Sequence, residues 1–201
     1  MRISVMGAAI ALMFAYQANA AGPVGFGPIK VGMSKEELQM LTTVDSVYLN
    51  APLEPNPSKY SESIPGVERL KAFITTDISP KPLAATFIFS ANSLKFFKIY
   101  LDNEYLLDHV KEKITEKYGA PQIIDKRKEE QCIYKNDSNF KIQSGSLDYR
   151  WSEKSNDTIV TTVETYVLDM CPTSLRTAIP ASKSYALSIG VSNPKKAKTD
   201  N

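Results

Sequence analysis

The sequence is poor in the residues that most enzymes use for catalysis. It has one histidine, two cysteines and one tryptophan in 201 residues, and the glycine-rich motifs that bind phosphates are missing. A Ser–His–Asp or Cys–His site would need His109, and no G-x-S-x-G motif accompanies that residue. A zinc site would have to be built largely from carboxylates. We therefore predict no catalytic residue, no metal and no cofactor.

Excess charge and long hydrophobic runs are equally scarce. The chain has 24 Lys and Arg against 22 Asp and Glu, and the basic run at 126–128 is followed at once by Glu129 and Glu130. This balance predicts no binding to nucleic acid or to an anionic membrane. After residue 20, no segment is apolar enough to span a bilayer.

The first twenty residues are the most apolar part of the chain. Arg2 precedes an apolar run over 3–16, and Ala18 and Ala20 give the small-x-small pattern that signal peptidase cleaves. The run is too short for a stable membrane anchor. We predict a signal peptide over 1–20, a mature chain that begins at Ala21, and a periplasmic or secreted location. The alternative is a buried N-terminal helix.

The two cysteines, Cys132 and Cys171, then belong to an exported chain. An oxidising compartment favours a disulfide between them. The alternative is a metal or redox pair, but neither cysteine has a neighbouring histidine or a second cysteine.

The stretch "KVGMSKEEL" (30–38) places two glutamates side by side and raises the question of a working carboxylate pair. Ser34 and Glu37 have the spacing of a capping box, in which each side chain bonds the other's backbone N–H. Glu36 and Glu37 also suit the positive end of a helix dipole. We predict a helix of two or three turns that begins at Ser34.

Hydrophobic periodicity predicts the remaining elements. Strands are expected at 67–75, 83–90 and 94–101, with a hairpin turn at 90–93, and again at 147–151, 157–168 and 184–191. Between the two groups, 103–119 has a helical stripe, a cap at Asp102 or Asn103, and a stop at Gly119. Leu147, Tyr149 and Trp151 are expected on one face of their strand, with Asp148 and Arg150 on the other.

The second helix carries acids at every fourth position: Glu104, Asp108, Glu112 and Glu116. One interpretation is an acidic stripe that binds a metal. The other, which we favour, is a solvated face that nearby bases such as Lys111 neutralise.

This order of elements predicts the α+β class, with helices packed on one face of an antiparallel sheet. The layout suggests two tandem units of a helix followed by a β-meander, over 21–102 and 103–192, within one compact domain. Residues 193–201 are expected to form a flexible tail.

The candidate partner-binding residues are Pro55, Pro57, Tyr60 and Trp151. The first three lie in the proline-rich segment 50–66, whose stiffness would reduce the entropy lost on binding. That segment can equally be a plain connector. Trp151 is either part of an exposed aromatic ledge or a core residue.

Three segments together resemble a broad group of exported bacterial proteins: "FGPIKVGMSKEEL", "IYLDNEYLLDHVKEKITEKYGAP" and "YRWSEKSNDTIVTTVETY". The group is similar in fold to the β-lactamase inhibitor protein and to the small outer-membrane-assembly lipoprotein. The chain departs from the lipoprotein because it has no cysteine to lipidate near the mature N-terminus. The resemblance implies a non-enzymatic module that binds another exported or envelope protein. The alternatives are a secreted hydrolase with a carboxylate pair, or an inhibitor or immunity-type protein of a secreted enzyme.

Overall fold

A computed structural model describes residues 24–56, 65–134, 139–152, 159–171 and 182–192. The predicted signal peptide and tail, together with Pro57 and Tyr60, lie outside the described residues. No helix in these ranges is both long enough and apolar enough to cross a membrane.

Twelve strands and two helices make up the described residues. In chain order they are β1 Gly25–Phe26, β2 Ile29–Lys30, α1 Lys35–Gln39, β3 Val47–Leu49, β4 Glu54–Pro55, β5 Val67–Thr76, β6 Ser79–Ser90, β7 Ser93–Leu101, α2 Glu104–Tyr118, β8 Gln122–Asp125, β9 Lys128–Ile133, β10 Asn139–Ser152, β11 Ile159–Leu168 and β12 Ser182–Val191.

All strands from β3 onward belong to one ten-stranded antiparallel sheet. Its main order is β3-β5-β6-β7-β12-β11-β10-β8, with β4 added beside β5 and β9 beside β10. Each predicted unit ends in a long strand, β7 in the first and β12 in the second. These two strands are neighbours in the sheet, with Ile99 opposite Leu187. The strands of both units therefore form one continuous surface.

The predicted α+β class is wrong. Strands account for 60% of the described residues and helices for 14%, so the protein is mostly antiparallel sheet. One reason is that residues 122–152, expected to hold only short strands, are largely extended, and β10 alone runs over 14 residues. Another is that α1 has five residues rather than two or three turns. The β-branched Thr42, Thr43 and Val44 come next after Met40 and Leu41, and such residues lose side-chain freedom in a helix.

The capping box at the start of α1 is confirmed. The Glu37 backbone N–H donates to Ser34 Oγ at 3.1 Å, and the Ser34 N–H donates to Glu37 Oε2 at 2.7 Å. Glu36 instead accepts a hydrogen bond from Asn92 Nδ2 at 2.7 Å, which lowers the pKa of its carboxyl. Asn92 lies in the predicted hairpin turn, where it and Ala91 both have positive φ. The two glutamates thus hold local structure and do not converge on one point.

The predicted alternation of β6 and β7 is confirmed. Leu83, Ala85, Phe87 and Phe89 are all buried, as are Phe97, Ile99 and Leu101. The rings of Phe87 and Phe97 face each other across the two strands, with 6.4 Å between their centroids. These side chains form the centre of the core, on the face of the sheet that α2 covers.

Helix α2 has the predicted cap, stop and buried stripe. The Leu106 N–H donates to Asn103 Oδ1 at 3.0 Å, and the helix ends at Gly119, whose φ is +83°. Trp151 is only 4% exposed, and its Nε1–H donates to the Gly119 carbonyl at 2.8 Å. As a partner-binding candidate Trp151 is therefore wrong, since its ring belongs to the core and its polar edge fixes the helix end to β10.

Candidate binding sites

The sheet has one face under α2, here called the helix face, and an opposite face, here called the open face. Side chains alternate between the two faces along each strand. Leu187 and Ile189 lie under α2, so the intervening side chains of β12, such as Ala186, lie on the open face. Residues paired across strands share a face, and Ala186 pairs with Tyr100 and with Glu164, so these two residues lie on the open face as well. Each face carries one candidate site.

On the open face, a groove of about 320 Å³ lies between β5, β6, β7 and the segment 51–56. Phe73 is 59% exposed and Tyr100 is 44% exposed on its floor, and Pro52 forms part of its wall. Aromatic side chains that are this exposed contribute little to the core. We call this site the aromatic groove.

The wall of the aromatic groove is fixed at both ends. The Asn50 N–H donates to the Phe73 carbonyl and the Asn56 N–H donates to the Arg69 carbonyl, each at 2.9 Å. Between them, β4 pairs with β5 and places exposed Pro55 opposite Leu70. Pro55 is exposed, but it does not line the groove, because its partner Leu70 lies opposite Phe87 on the helix-face side of the sheet. Of the other predicted surface residues, Trp151 is buried, and Pro57 and Tyr60 lie outside the described residues. Phe73 and Tyr100 were not predicted, because their strands read as core strands.

The open face also holds a charged network beside the groove. Lys98 Nζ lies 3.1 Å from Glu164 Oε2 and 5.6 Å from the centroid of the Tyr100 ring. Asp148, opposite Glu164, lies on the predicted face, the one opposite to Leu147 and Tyr149, but it is only 5% exposed.

The sequence leaves open a hydrolase with a carboxylate pair, and Asp148 and Glu164 are the acids on this face that could form one. Asp148 Oδ2 lies 3.4 Å from Lys126 Nζ and 4.0 Å from Arg150 Nη2, and Glu164 pairs with Lys98. Two carboxylates directly opposite each other repel, and nearby cations reduce that repulsion. Cations offset the charge of both acids, and no observation points to a substrate between them, so we do not propose that this pair catalyses a reaction.

On the helix face, a cavity of about 460 Å³ lies beside the N-terminal half of α2, and we call it the charged cavity. Leu147, Tyr149 and Val167 form its floor. It lies where β10 bends at Gly145, whose φ is +123°. A Cβ there would lie 2.5 Å from the Lys126 carbonyl oxygen, so the bend needs glycine.

Ion pairs shift the pKa values of several groups around the charged cavity. A hydrogen bond to Asp108 raises the pKa of Lys111, whose Nζ also lies 4.8 Å from the centroid of the Tyr149 ring. Side-chain hydrogen bonds from Arg127 lower the pKa of Asp125 to about 2, and the same contact raises the pKa of Arg127. These groups stay charged over the physiological range.

The prediction that Lys111 neutralises acids on α2 is confirmed by its ion pair with Asp108. Across the described residues, no group of three or more His, Cys, Asp or Glu side chains is arranged to hold a metal ion. The acidic positions of α2 therefore have no metal-binding geometry in that part of the chain.

The predicted disulfide between Cys132 and Cys171 is present. It links β9 to the segment that follows β11, 39 residues further along the chain. The bond lies at the far end of the β9–β10 ribbon, away from the aromatic groove.

Comparisons with protein-family models, with curated proteins and with solved structures give no match. The resemblance to the exported bacterial group therefore stays a prediction.

Proposed function

We propose that the protein is an exported, non-enzymatic module that binds another exported protein through the aromatic groove. The observation that supports this most is the exposure of Phe73 and Tyr100 beside a fixed proline-bearing wall. Exposed aromatic side chains are enriched where proteins bind each other, because they bury a large area with few rotatable bonds.

The groove favours a partner that inserts an apolar side chain. Phe73, Ala84 and the ring of Tyr100 provide an apolar floor, while the Lys71–Glu54 ion pair at 3.4 Å forms a polar rim. An apolar centre with a polar rim is the usual anatomy of a binding site for a protein. The fixed wall reduces the entropy cost of ordering the groove on binding.

A site-specific crosslinking experiment tests this proposal. A photoreactive phenylalanine analogue replaces Phe73 in one variant and Ile133 in the other. Ile133 is 74% exposed but lies on β9, outside the groove. We expect a discrete adduct from position 73 in the cell envelope and none of the same mass from position 133.

Affinity measurements with the purified partner complete the test. Phe73→Ala and Tyr100→Ala should each weaken binding by about 30-fold, the effect of a central aromatic residue worth about 2 kcal/mol. Ile133→Ala should change the affinity by less than about twofold. Identical adducts from both positions, or an unchanged affinity in Phe73→Ala, would contradict the proposal. A partner enzyme that loses its activity at one-to-one stoichiometry would identify the inhibitor or immunity-type role.

A further inference from the structure

The charged cavity combines an apolar floor with charges of both signs around it. Leu107 and Ile142 are buried beside the floor residues. Pockets of this size, near the low end of the range for ligand sites, accommodate small molecules and not folded domains. The floor therefore suits the apolar body of a small ligand.

Most of the charges that line the cavity are already paired within the protein. Lys111 pairs with Asp108, Lys141 with Glu129, and Arg127 with Asp125. Each pair is nearly neutral as a unit, so none attracts a ligand of one sign strongly.

Three lining charges are left over: Glu104 at the start of α2, Asp169 just after β11, and Lys183 at the start of β12. Within the described ranges, none of the three lies within 4.0 Å of an opposite charge. Asp169 Oδ1 accepts the Met170 N–H at 2.9 Å, which leaves its other oxygen for a ligand. The cavity thus offers two acids and one base at its edge.

We propose that the charged cavity binds a small zwitterion with an apolar body, namely a short peptide with free termini. Its ammonium group is held by Glu104 and Asp169, its carboxylate by Lys183, and its apolar side chains lie over Leu147, Tyr149 and Val167. A simple anion would meet one free base and two free acids, and a simple cation would leave Lys183 unmatched. A zwitterion satisfies both signs.

Calorimetric titration of the full mature protein with four small molecules, three of them peptides, tests this assignment. The probes are Leu-Leu, N-acetyl-Leu-Leu, which lacks the ammonium group, Leu-Leu amide, which lacks the carboxylate, and phosphoethanolamine, a zwitterion without an apolar body. Leu-Leu should bind most tightly, and each blocked form should bind about fivefold more weakly, as expected for loss of one partly exposed ion pair.

Charge-removing variants test which side chains bind the amino end of the peptide and which bind the carboxyl end. Glu104→Gln/Asp169→Asn should weaken Leu-Leu about fivefold and leave the N-acetyl form unchanged. Lys183→Gln should weaken the binding of Leu-Leu by a similar factor and leave the affinity for Leu-Leu amide unchanged. Glu112→Gln is the matched control, because Glu112 is an exposed acid on the same helix outside the cavity. Thermal unfolding of each variant establishes that the fold is intact.

NMR spectra locate the peptide. The methyl signals of Leu147 and Val167 should shift on titration, whereas that of Ala84, in the aromatic groove, should not. Equal affinity for all four probes, tighter binding of phosphoethanolamine, shifts confined to Ala84, or no binding below about 10 mM would each overturn the proposal.

Discussion

The two halves of the sheet bury their helix-face side chains to different degrees. In β5–β7, Phe87, Phe89 and Phe97 are completely buried. In β10–β12, Leu147 and Tyr149 are only partly buried and form the floor of a cavity. Val163, Leu187 and Ile189 in β11 and β12 are as fully buried as the first half's rings, so the free space is confined to the part of the second half around Leu147 and Tyr149.

The difference comes from what covers each half. The segment 25–38 lies over the first half, where the Gly32 N–H donates to the Leu94 carbonyl at 2.7 Å and the Leu94 N–H donates to the Met33 carbonyl at 2.8 Å. Helix α2 covers only the inner part of the second half, which is held by the Cys132–Cys171 disulfide and by the Trp151 hydrogen bond. Apolar burial stabilises both halves, but the second half has these two specific links in addition, and its outer part leaves room for a ligand.

The largest expected effect is a loss of packing in the first half. Phe87→Ala should lower the free energy of unfolding by about 3–5 kcal/mol, because it removes a fully buried ring stacked against Phe97. Urea denaturation followed by circular dichroism measures it. Phe73→Ala, on an exposed ring of the same sheet, is the control and should change the free energy by less than about 0.5 kcal/mol. Equal losses would mean that burial does not distinguish the two positions.

The next effect concerns the second half. Cys132→Ser/Cys171→Ser should lower the free energy of unfolding by about 2–4 kcal/mol, since the cross-link restricts a long loop in the unfolded chain. Hydrogen exchange sharpens the comparison, because protection should fall first in β9 and in Asn139–Ser144, and not in β6. Uniform loss across both halves would show that the link stabilises the whole sheet instead.

Local patterns in the sequence predicted most helices and strands, but not the high proportion of strand relative to helix. The alternation of β6 and β7, the caps of both helices and the disulfide were predictable because each depends on residues close in the chain or on a single pair. The bend of β10 at Gly145 and the burial of Asp148 depend on which strands become neighbours. Both candidate sites are formed by such neighbours: Phe73 with Tyr100, and Tyr149 with Lys111. Sequence periodicity places each of these residues on a strand or helix and does not indicate that they meet.

A smaller effect is expected at the helix cap of the first half. Ser34→Ala should lower the free energy of unfolding by about 1 kcal/mol, because the Glu37 N–H loses its acceptor. Ser34→Asp keeps an acceptor at the cap and should recover most of the loss. If Ser34→Ala instead abolished partner binding without any change in stability, Ser34 would belong to a binding site and not only to a cap.

The smallest expected effect is a pH dependence in the second half, at the Asp125–Arg127 pair next to the charged cavity. The pKa of Asp125 is lowered to about 2 by the hydrogen bonds from Arg127, from an ordinary value of 3.8. Because the pKa is lower in the folded protein, the ionised pair stabilises the fold above about pH 4, and this contribution is lost as the pH falls towards 2. Asp125→Asn should therefore flatten the decline of unfolding free energy between about pH 4 and pH 2. Arg127→Gln should flatten it as well, since it removes the donor that lowers the pKa. Unaltered pH profiles in both variants would show that the stability of the second half does not depend on this ion pair.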